Sequence, residues 1–151
     1  MMMREVGVRF DGFGQGAAVS VRRNEYDCKD HTSTPSPAIL FAVKTCEAYH
    51  HIRVQVIKRT WGRYAAHVTF FSDTHDESIP TVNFPTLVEP RVKTFFGCNK
   101  ALAILQHFLD EYPQHGWLVV ADDDTILSVA RVRDMVACYQ DMDQPLILGI
   151  K

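Results

Sequence analysis

The sequence has no large excess of either charge, because 16 lysines and arginines stand against 18 aspartates and glutamates in 151 residues. Proteins that bind the phosphate backbone of nucleic acids normally carry a clustered basic excess, so we expect no nucleic-acid partner. No apolar run approaches the roughly 20 residues that a membrane-spanning helix needs. The N-terminus, MMMREVGVRF, lacks the apolar segment of a signal peptide. What remains is one globular domain with 46% hydrophobic residues.

The four cysteines do not have the spacing of a zinc site. Cys28, Cys46, Cys98 and Cys138 form no CxxC pair, the spacing typical of structural zinc. Their even number permits two disulfides in an oxidising compartment, and buried free thiols fit equally well. Spacing alone favours the free thiols.

The first 37 residues differ in composition from the rest of the chain. Glycines cluster between Gly7 and Gly16, and the polar run DCKDHTSTPSP ends at Pro37. This composition predicts an irregular or disordered segment over residues 1–37. The stretch GFGQGA within it resembles a dinucleotide-binding fingerprint, but it neither follows an apolar strand nor opens an amphipathic helix, so we discount that function.

From residue 38 onward, strand patterns alternate with helix patterns. Apolar or β-branched runs predict strands at 38–43, 67–72, 81–84, 117–121 and 145–150. The strand at 117–121 is expected to be buried. Helices are predicted after Thr45, over 94–112 and after Ser128. Such alternation indicates an α/β fold with a mostly parallel sheet and flanking helices.

Apolar residues at helical spacing predict which side of each helix is buried. The predicted apolar positions are Ala48, Ile52 and Val56 in the first helix; Leu102, Leu105, Phe108, Leu109 and Tyr112 in the second; and Val132, Met135, Val136 and Tyr139 in the third.

Three consecutive carboxylates, Asp122, Asp123 and Asp124, follow the apolar strand WLVVA. Ligands of open α/β sheets bind outside the carboxyl ends of the strands. Adjacent carboxylates repel one another unless they are solvated or neutralised, and hard oxygen ligands suit Mg²⁺ or Mn²⁺. If the chain stays extended, Asp122 and Asp124 project to one side and hold a metal that grips a diphosphate. Asp123 then projects to the other side and contacts a sugar hydroxyl.

The triplet and its spacing also allow comparison with three other kinds of site. A solvated acidic turn before the next helix stays open. An EF-hand starting at Asp122 is excluded, because Leu127 and Arg133 stand where glycine and glutamate are required. A phosphatase of the haloacid-dehalogenase type, with Asp122 as nucleophile, stays open as a near miss, since Ile126 departs from its motif.

Between residues 39 and 149 an ordered series of motifs resembles the Fringe-like β1,3-glycosyltransferases. The series is AVKTC with His50 close behind, Thr60-Trp61, FFSD at 70–73, Lys100, WLVVADDDT at 117–125 and the LILG strand. Within this family, the sequence is most similar to the members that add glucose to O-linked fucose on thrombospondin type 1 repeats. The stretches that carry this closer similarity are VKTC, SIPTV, KALAILQHFL and WLVVADDDT.

The resemblance implies a GT-A (Rossmann-like) nucleotide-sugar-binding half and an inverting, metal-dependent transfer from a UDP-sugar, with UDP-glucose favoured. It implies that Asp124, with Asp122, binds Mn²⁺ or Mg²⁺, and that Asp122 and Asp123 contact the donor. Thr45 and Asp73 would lie beside the uridine, and Lys100 near the donor. For these three residues a helix cap, a turn residue and a solvated helix charge are the structural alternatives.

The resemblance also implies that the acceptor half is missing, so that residues 38–151 form a C-terminally truncated, partial glycosyltransferase domain. The family's catalytic base would lie beyond Lys151, and an inverting transfer needs such a base. His50, His51, His67 and His75 precede the triplet and are expected to be surface or loop residues. Full-length relatives would act on O-fucosylated protein in the endoplasmic reticulum or Golgi lumen. We expect this chain alone to be inactive, and a non-catalytic remnant stays an alternative.

Overall fold

The computed structural model describes residues 38–83, 96–139 and 146–148, with residues 96–99 described for their backbone only. The predicted irregular segment, 1–37, lies outside the described residues, so its boundary stays a prediction. The chain divides into two compact units: Pro35–Ala137, and Met1–Thr34 together with Cys138–Lys151. The sheet and the helices described below all belong to the first unit.

Four parallel strands form one sheet in the order β3-β2-β1-β4. They are Ile39–Lys44 (β1), His67–Ser72 (β2), Thr81–Asn83 (β3) and Trp117–Asp122 (β4). The chain steps outward from β1 to β3 and then returns to the opposite side of β1. The predicted α/β class with a parallel sheet is therefore confirmed, and the architecture is consistent with a GT-A-like domain.

Helical segments cover both faces of the sheet. After β1 come a 3₁₀ turn, Glu47–Tyr49, a π turn, His50–Val54, the helix Gln55–Arg59 (α1) and a second 3₁₀ turn, Trp61–Tyr64. The longer helices are Phe96–Glu111 (α2) and Val129–Ala137 (α3). Because parallel strands need crossover connections, helices on both faces are the ordinary consequence of this topology.

The alternation of side chains along β1 divides the core into two clusters. Phe41 and Val43 pack with Ile57 and Trp61 on the face that carries α1 and α3. Ala42 packs with Phe71 and Ile104 of α2 on the opposite face. Since the central strand is buried on both faces, its continuous apolar run ILFAV follows directly from its place in the sheet.

The buried side of the segment after β1 differs from the predicted one. Ala48, Ile52 and Val56 are exposed, with Ile52 at 67%. His50, Val54, Ile57 and Trp61 are buried instead. The segment starts with a 3₁₀ and a π turn, so an α-helical period counted from Thr45 selects the wrong side. The buried residues themselves follow a 4-3-4 spacing that identifies the correct stripe.

The predictions for the two longer helices met different outcomes. In α2, Leu102, Leu105 and Leu109 are exposed and Ile104 is fully buried, so the predicted stripe is wrong at these three leucines, whereas its other members, Phe108 and Tyr112, are half-buried. In α3, Val132 and Val136 do face the core. The backbone N–H of Arg131 donates to Ser128 Oγ at 3.4 Å, which supports Ser128 as the cap of this helix.

Three further expectations differ from the structure near the end of the described chain. Strand β4 is only partly buried, with Val120 44% exposed, because β4 lies at an edge among the described strands. Leu146–Leu148 have no regular secondary structure, and the rest of the predicted strand 145–150 lies outside the described residues. Cys138 is disulfide-bonded, so the free-thiol expectation is wrong there and correct for Cys46.

A cluster of aromatic side chains lies between the start of β2 and the end of α2. The ring of His115 contacts those of His67 and Tyr112 edge-on, with centroids 4.7 and 5.0 Å apart, and Tyr112 also contacts His107. Within the described residues, neither ring nitrogen of His115 has a hydrogen-bond partner. Burial, reinforced by the nearby His67, lowers the pKa of His115, because both disfavour the charged ring.

Stability is therefore expected to fall as the pH drops through about 6.5, the ordinary pKa of unfolded histidine. In that range the unfolded chain binds the proton that folded His115 resists, so acidification favours unfolding. Thermal melts from pH 8 to pH 5.5 test this against His115→Phe, which keeps an aromatic ring. The melting temperature of the wild type should fall further than that of the variant between pH 8 and pH 5.5. Parallel curves for the two proteins would contradict the assignment.

In the described part of the chain, no helix is both long enough and apolar enough to cross a membrane.

Candidate functional site

The sequence-predicted residues lie at one edge of the sheet, where β1, β2 and β4 end. Thr45 directly follows β1, Asp73 follows β2, and the triplet begins at the last residue of β4. Because β1 lies between the other two strands, all three ends are neighbours. The sheet order reverses between β1 and β4, and open parallel sheets bind ligands at such a switch point.

Asp123 is the buried member of the triplet, with 8% of its surface exposed. The buried hydroxyl of Thr45 donates to its Oδ2 at 2.7 Å. A carboxylate needs such partners because burial in an apolar surrounding penalises its charge. The expected helix-cap role of Thr45 is not observed, since Cys46 occupies the cap position without a side-chain bond. Thr45 instead joins the ends of β1 and β4.

Arg53 supplies the charge that offsets Asp123. Its Nη1 donates to Asp123 Oδ1 at 2.8 Å and to Asp124 Oδ2 at 3.4 Å. The guanidinium carbon lies 3.7 Å from the ring centroid of Tyr49, a cation–π contact that orients it. The bond to Asp123 raises the pKa of Arg53. The sequence alone does not single out Arg53, because nothing in it separates this residue from the other basic residues of its segment.

Asp122 has a different partner from the other two aspartates. Its Oδ1 lies 2.8 Å from Nζ of Lys44, the residue directly opposite it in the β1–β4 ladder. Extended alternation predicted that Asp122 and Asp124 would share a side. The strand ends at Asp122, however, and a turn follows in which the N–H of Thr125 donates to the carbonyl of Asp122 at 3.0 Å. Arg53 consequently links Asp123 with Asp124.

The predicted repulsion within the triplet is thus relieved in part by the chain's own cations, Lys44 and Arg53. The side chains of Asp122 and Asp124 nevertheless remain 63% and 67% exposed. Exposed ion pairs of this kind are weak, typically within about 1 kcal/mol. The carboxylates of Asp122 and Asp124 are accordingly free to exchange their partners for a stronger cation.

The donor set fits an open metal site and not a closed one. Within the described ranges, no group of three or more histidines, cysteines, aspartates and glutamates is placed to hold a metal ion. Mg²⁺ typically uses one or two carboxylates and completes its shell with water and substrate phosphate oxygens. Asp122 and Asp124 have the exposed carboxylates that such an open site would use, and a diphosphate would supply the remaining oxygens.

Asp73 is fixed by the segment that follows β1. Its Oδ1 accepts hydrogen bonds from the backbone N–H of Glu47 at 3.2 Å and from the hydroxyl of Ser72 at 3.1 Å. Burial alone would raise the pKa of Asp73, but these hydrogen bonds and the charge of Lys100 outweigh it and lower the pKa. The carboxylate therefore stays ionised, and Lys100 lies near enough to act on it.

His50 ties the same segment to the end of β2. Its Nε2 lies 2.7 Å from Ser72 Oγ, and its Nδ1 lies 3.1 Å from Asp76 Oδ2. His50 is 1% exposed, so the expectation of a surface histidine is wrong here, while His51, His67 and His75 are exposed as expected. The nearby carboxylate and hydroxyl make burial of the imidazole possible.

Trp61 holds the turn that carries the triplet by a hydrogen bond to Thr125. Its indole N–H donates to the carbonyl oxygen of Thr125 at 3.0 Å. The ring is buried and lies 6.0 Å from the ring of Phe41 in β1, measured between centroids. One side chain therefore links the hydrophobic core to the loop that carries the carboxylates.

Comparison with known proteins identifies the family of the chain. The sequence profile of the Fringe-like family matches residues 34–151. The chain belongs to the Fringe-like family. It is 38% identical over 112 residues to proteins named beta-1,3-glucosyltransferase from Mus musculus and Homo sapiens, a match that covers 74% of this chain and 22% of each relative. The chain thus spans about a fifth of their length. No solved structure matches it.

Proposed function

We propose that this chain is the donor-binding part of a glycosyltransferase and binds the nucleoside diphosphate of a UDP-sugar, with UDP-glucose as the favoured donor. The proposal rests on one observation: the three aspartates at the switch point of the sheet differ in burial and in their partners. Asp123 is buried and locked by Thr45 and Arg53, while Asp122 and Asp124 present exposed carboxylates beside it. A purely solvated acidic turn would not need a buried aspartate that accepts hydrogen bonds from two side chains.

Each residue of the site then has a chemical role. Asp124, with Asp122, would hold Mn²⁺ or Mg²⁺, and the ion when bound would offset the charge that develops on the leaving diphosphate. Asp123, fixed by its two partners, would orient the turn and accept a hydrogen bond from a hydroxyl of the UDP-sugar. Thr45 and Asp73 would border the uridine, and Lys100 would place a positive charge beside the donor.

The transfer itself is proposed for a longer protein. The relatives from mouse and human are named for β1,3-glucosyl transfer, which favours a glycosyltransferase over the phosphatase alternative. We propose inverting transfer of a hexose to O-linked fucose on thrombospondin type 1 repeats, in the endoplasmic reticulum or Golgi lumen. Such a transfer needs a general base. We expect the base in the acceptor-binding half, so this chain should bind donor without transferring it.

Calorimetric titration with UDP, with and without Mn²⁺, tests the proposal on Asp124→Asn and on the control Asp110→Asn. Asp110 is an exposed aspartate of α2, bonded to Gln106. We expect UDP to bind only with Mn²⁺, and Asp124→Asn to weaken that binding at least tenfold, equivalent to about 1.4 kcal/mol. The Asp110 variant should bind like the wild type. Equal UDP affinity in all three proteins would refute the metal assignment.

A further inference from the structure

The proposed function uses the contact of Arg53 with Asp123 but gives no role to its contact with Asp124. Its guanidinium bonds to the buried Asp123 at 2.8 Å and reaches the exposed Asp124 at the longer distance of 3.4 Å. The first contact is short and partly buried, and the second is long and exposed. A charge-assisted bond is strong at the first distance and weak at the second.

The two contacts therefore differ in how easily they can be given up. Asp123 is 7% exposed in its side chain and needs a cation beside it, since a buried unpaired carboxylate is costly. Asp124 is mostly exposed, and water can replace its contact with Arg53 at little cost. Arg53 is also positioned from outside the triplet by the ring of Tyr49, so it can release Asp124 without leaving Asp123.

We propose that Arg53 is a placeholder cation, which holds Asp123 permanently and neutralises Asp124 until a divalent cation takes over that carboxylate. Arg53 is thus a positioning residue and competes with the metal for Asp124. This inference rests on the proposed metal site. It predicts a sign that a merely structural role does not: removal of the guanidinium should strengthen divalent-cation binding, because a competing positive charge is removed.

The test is a titration of the full chain with MnCl₂ alone, followed by calorimetry, for the wild type, Arg53→Gln and Arg59→Gln. Arg59 is an exposed arginine of the neighbouring α1, so its variant matches the change in net charge. We expect Arg53→Gln to bind Mn²⁺ about fivefold more tightly, the fold-change that corresponds to about 1 kcal/mol. The Arg59 variant should change the affinity for Mn²⁺ by less than half of that fold-change. Arg53→Lys, which keeps the positive charge, should bind Mn²⁺ like the wild type.

Three outcomes decide between this inference and the proposed function. If Asp124→Asn abolishes Mn²⁺ binding but Arg53→Gln leaves it unchanged or weaker, the placeholder role is wrong and the metal site stands. If Arg53→Gln and Arg59→Gln tighten binding equally, only net charge matters and the placeholder role is wrong. If neither the wild type nor any variant binds Mn²⁺ at this site, the placeholder role is wrong, and the titration of UDP with Mn²⁺ on Asp124→Asn decides the proposed function separately.

A measurement on the wild type covers the case in which Arg53→Gln does not fold. Mg²⁺ is titrated into isotope-labelled protein, and the guanidinium resonance of Arg53 is identified by its absence in Arg53→Lys. The resonance should shift with the same Mg²⁺ dependence as the amides of Asp124 and Thr125. A resonance that does not move while those amides do would overturn the inference.

Discussion

Replacing Asp123 by alanine should lower the free energy of unfolding by about 3 kcal/mol, the lower end of the range for breaking a buried ion pair. The substitution removes the acceptor of the Thr45 hydroxyl and the short contact of Arg53 together. The lower end applies because Arg53 is 35% exposed in its side chain and regains some hydration. Asp123→Asn should cost less, since the amide oxygen still accepts from Thr45.

The neighbouring Asp122 provides the control for this result. Asp122→Ala removes an equal charge one residue away, but it breaks only an exposed pair with Lys44 and should cost less than about 1 kcal/mol. Urea denaturation, followed by circular dichroism, measures both variants. Equal losses for Asp122→Ala and Asp123→Ala would show that burial does not distinguish the two aspartates.

Replacing Trp61 by alanine should cost about 3–5 kcal/mol, as do other truncations of large buried aromatic residues. The variant leaves a cavity beside Phe41 and frees the carbonyl of Thr125 from its indole donor. Trp61→Phe keeps most of the apolar volume but loses the indole donor of Thr125, so its cost should be smaller, about 1–3 kcal/mol.

The exposed Tyr64, three residues further along the same 3₁₀ turn, is the matched control. Tyr64→Ala should cost less than about 1 kcal/mol, since little of the ring leaves water on folding. Thermal and urea unfolding of the three variants would establish the order Trp61→Ala, Trp61→Phe, Tyr64→Ala. A Tyr64→Ala loss as large as that of Trp61→Ala would contradict the assignment of Trp61 to the core.

The sequence predicted the sheet far better than it predicted the helix faces. Buried parallel strands have continuous apolar runs, and the runs at 38–43, 67–72 and 117–121 lie within a residue of β1, β2 and β4. Helix faces depend on the phase of a 3.6-residue period. The 3₁₀ and π turns before α1 shift that phase, which is why Ile52 is exposed and Ile57 is buried.

The candidate site shows the same division between local and long-range information. Thr45, Asp73 and the triplet could be found because each directly follows a strand, and strand ends of one parallel sheet meet at one edge. The roles of Arg53 and Lys44 could not be found in this way. Arg53 contacts a residue 70 positions away in the sequence, and Lys44 contacts one 78 positions away. The burial of His50 could not be predicted for the same reason, since its partner Ser72 ends β2 and its partner Asp76 follows that strand.

The exposed carboxylates of Asp122 and Asp124 are the central element of the proposed function, and paramagnetic broadening tests them most directly. Small amounts of Mn²⁺ are added to isotope-labelled chain with saturating UDP, and amide signal losses are mapped by residue. The amides of residues 122–125 should disappear first, followed by those near Thr45 and Asp73. Earlier broadening around His67, His107 and His115, in the aromatic cluster, would contradict the assignment of the metal site to the triplet.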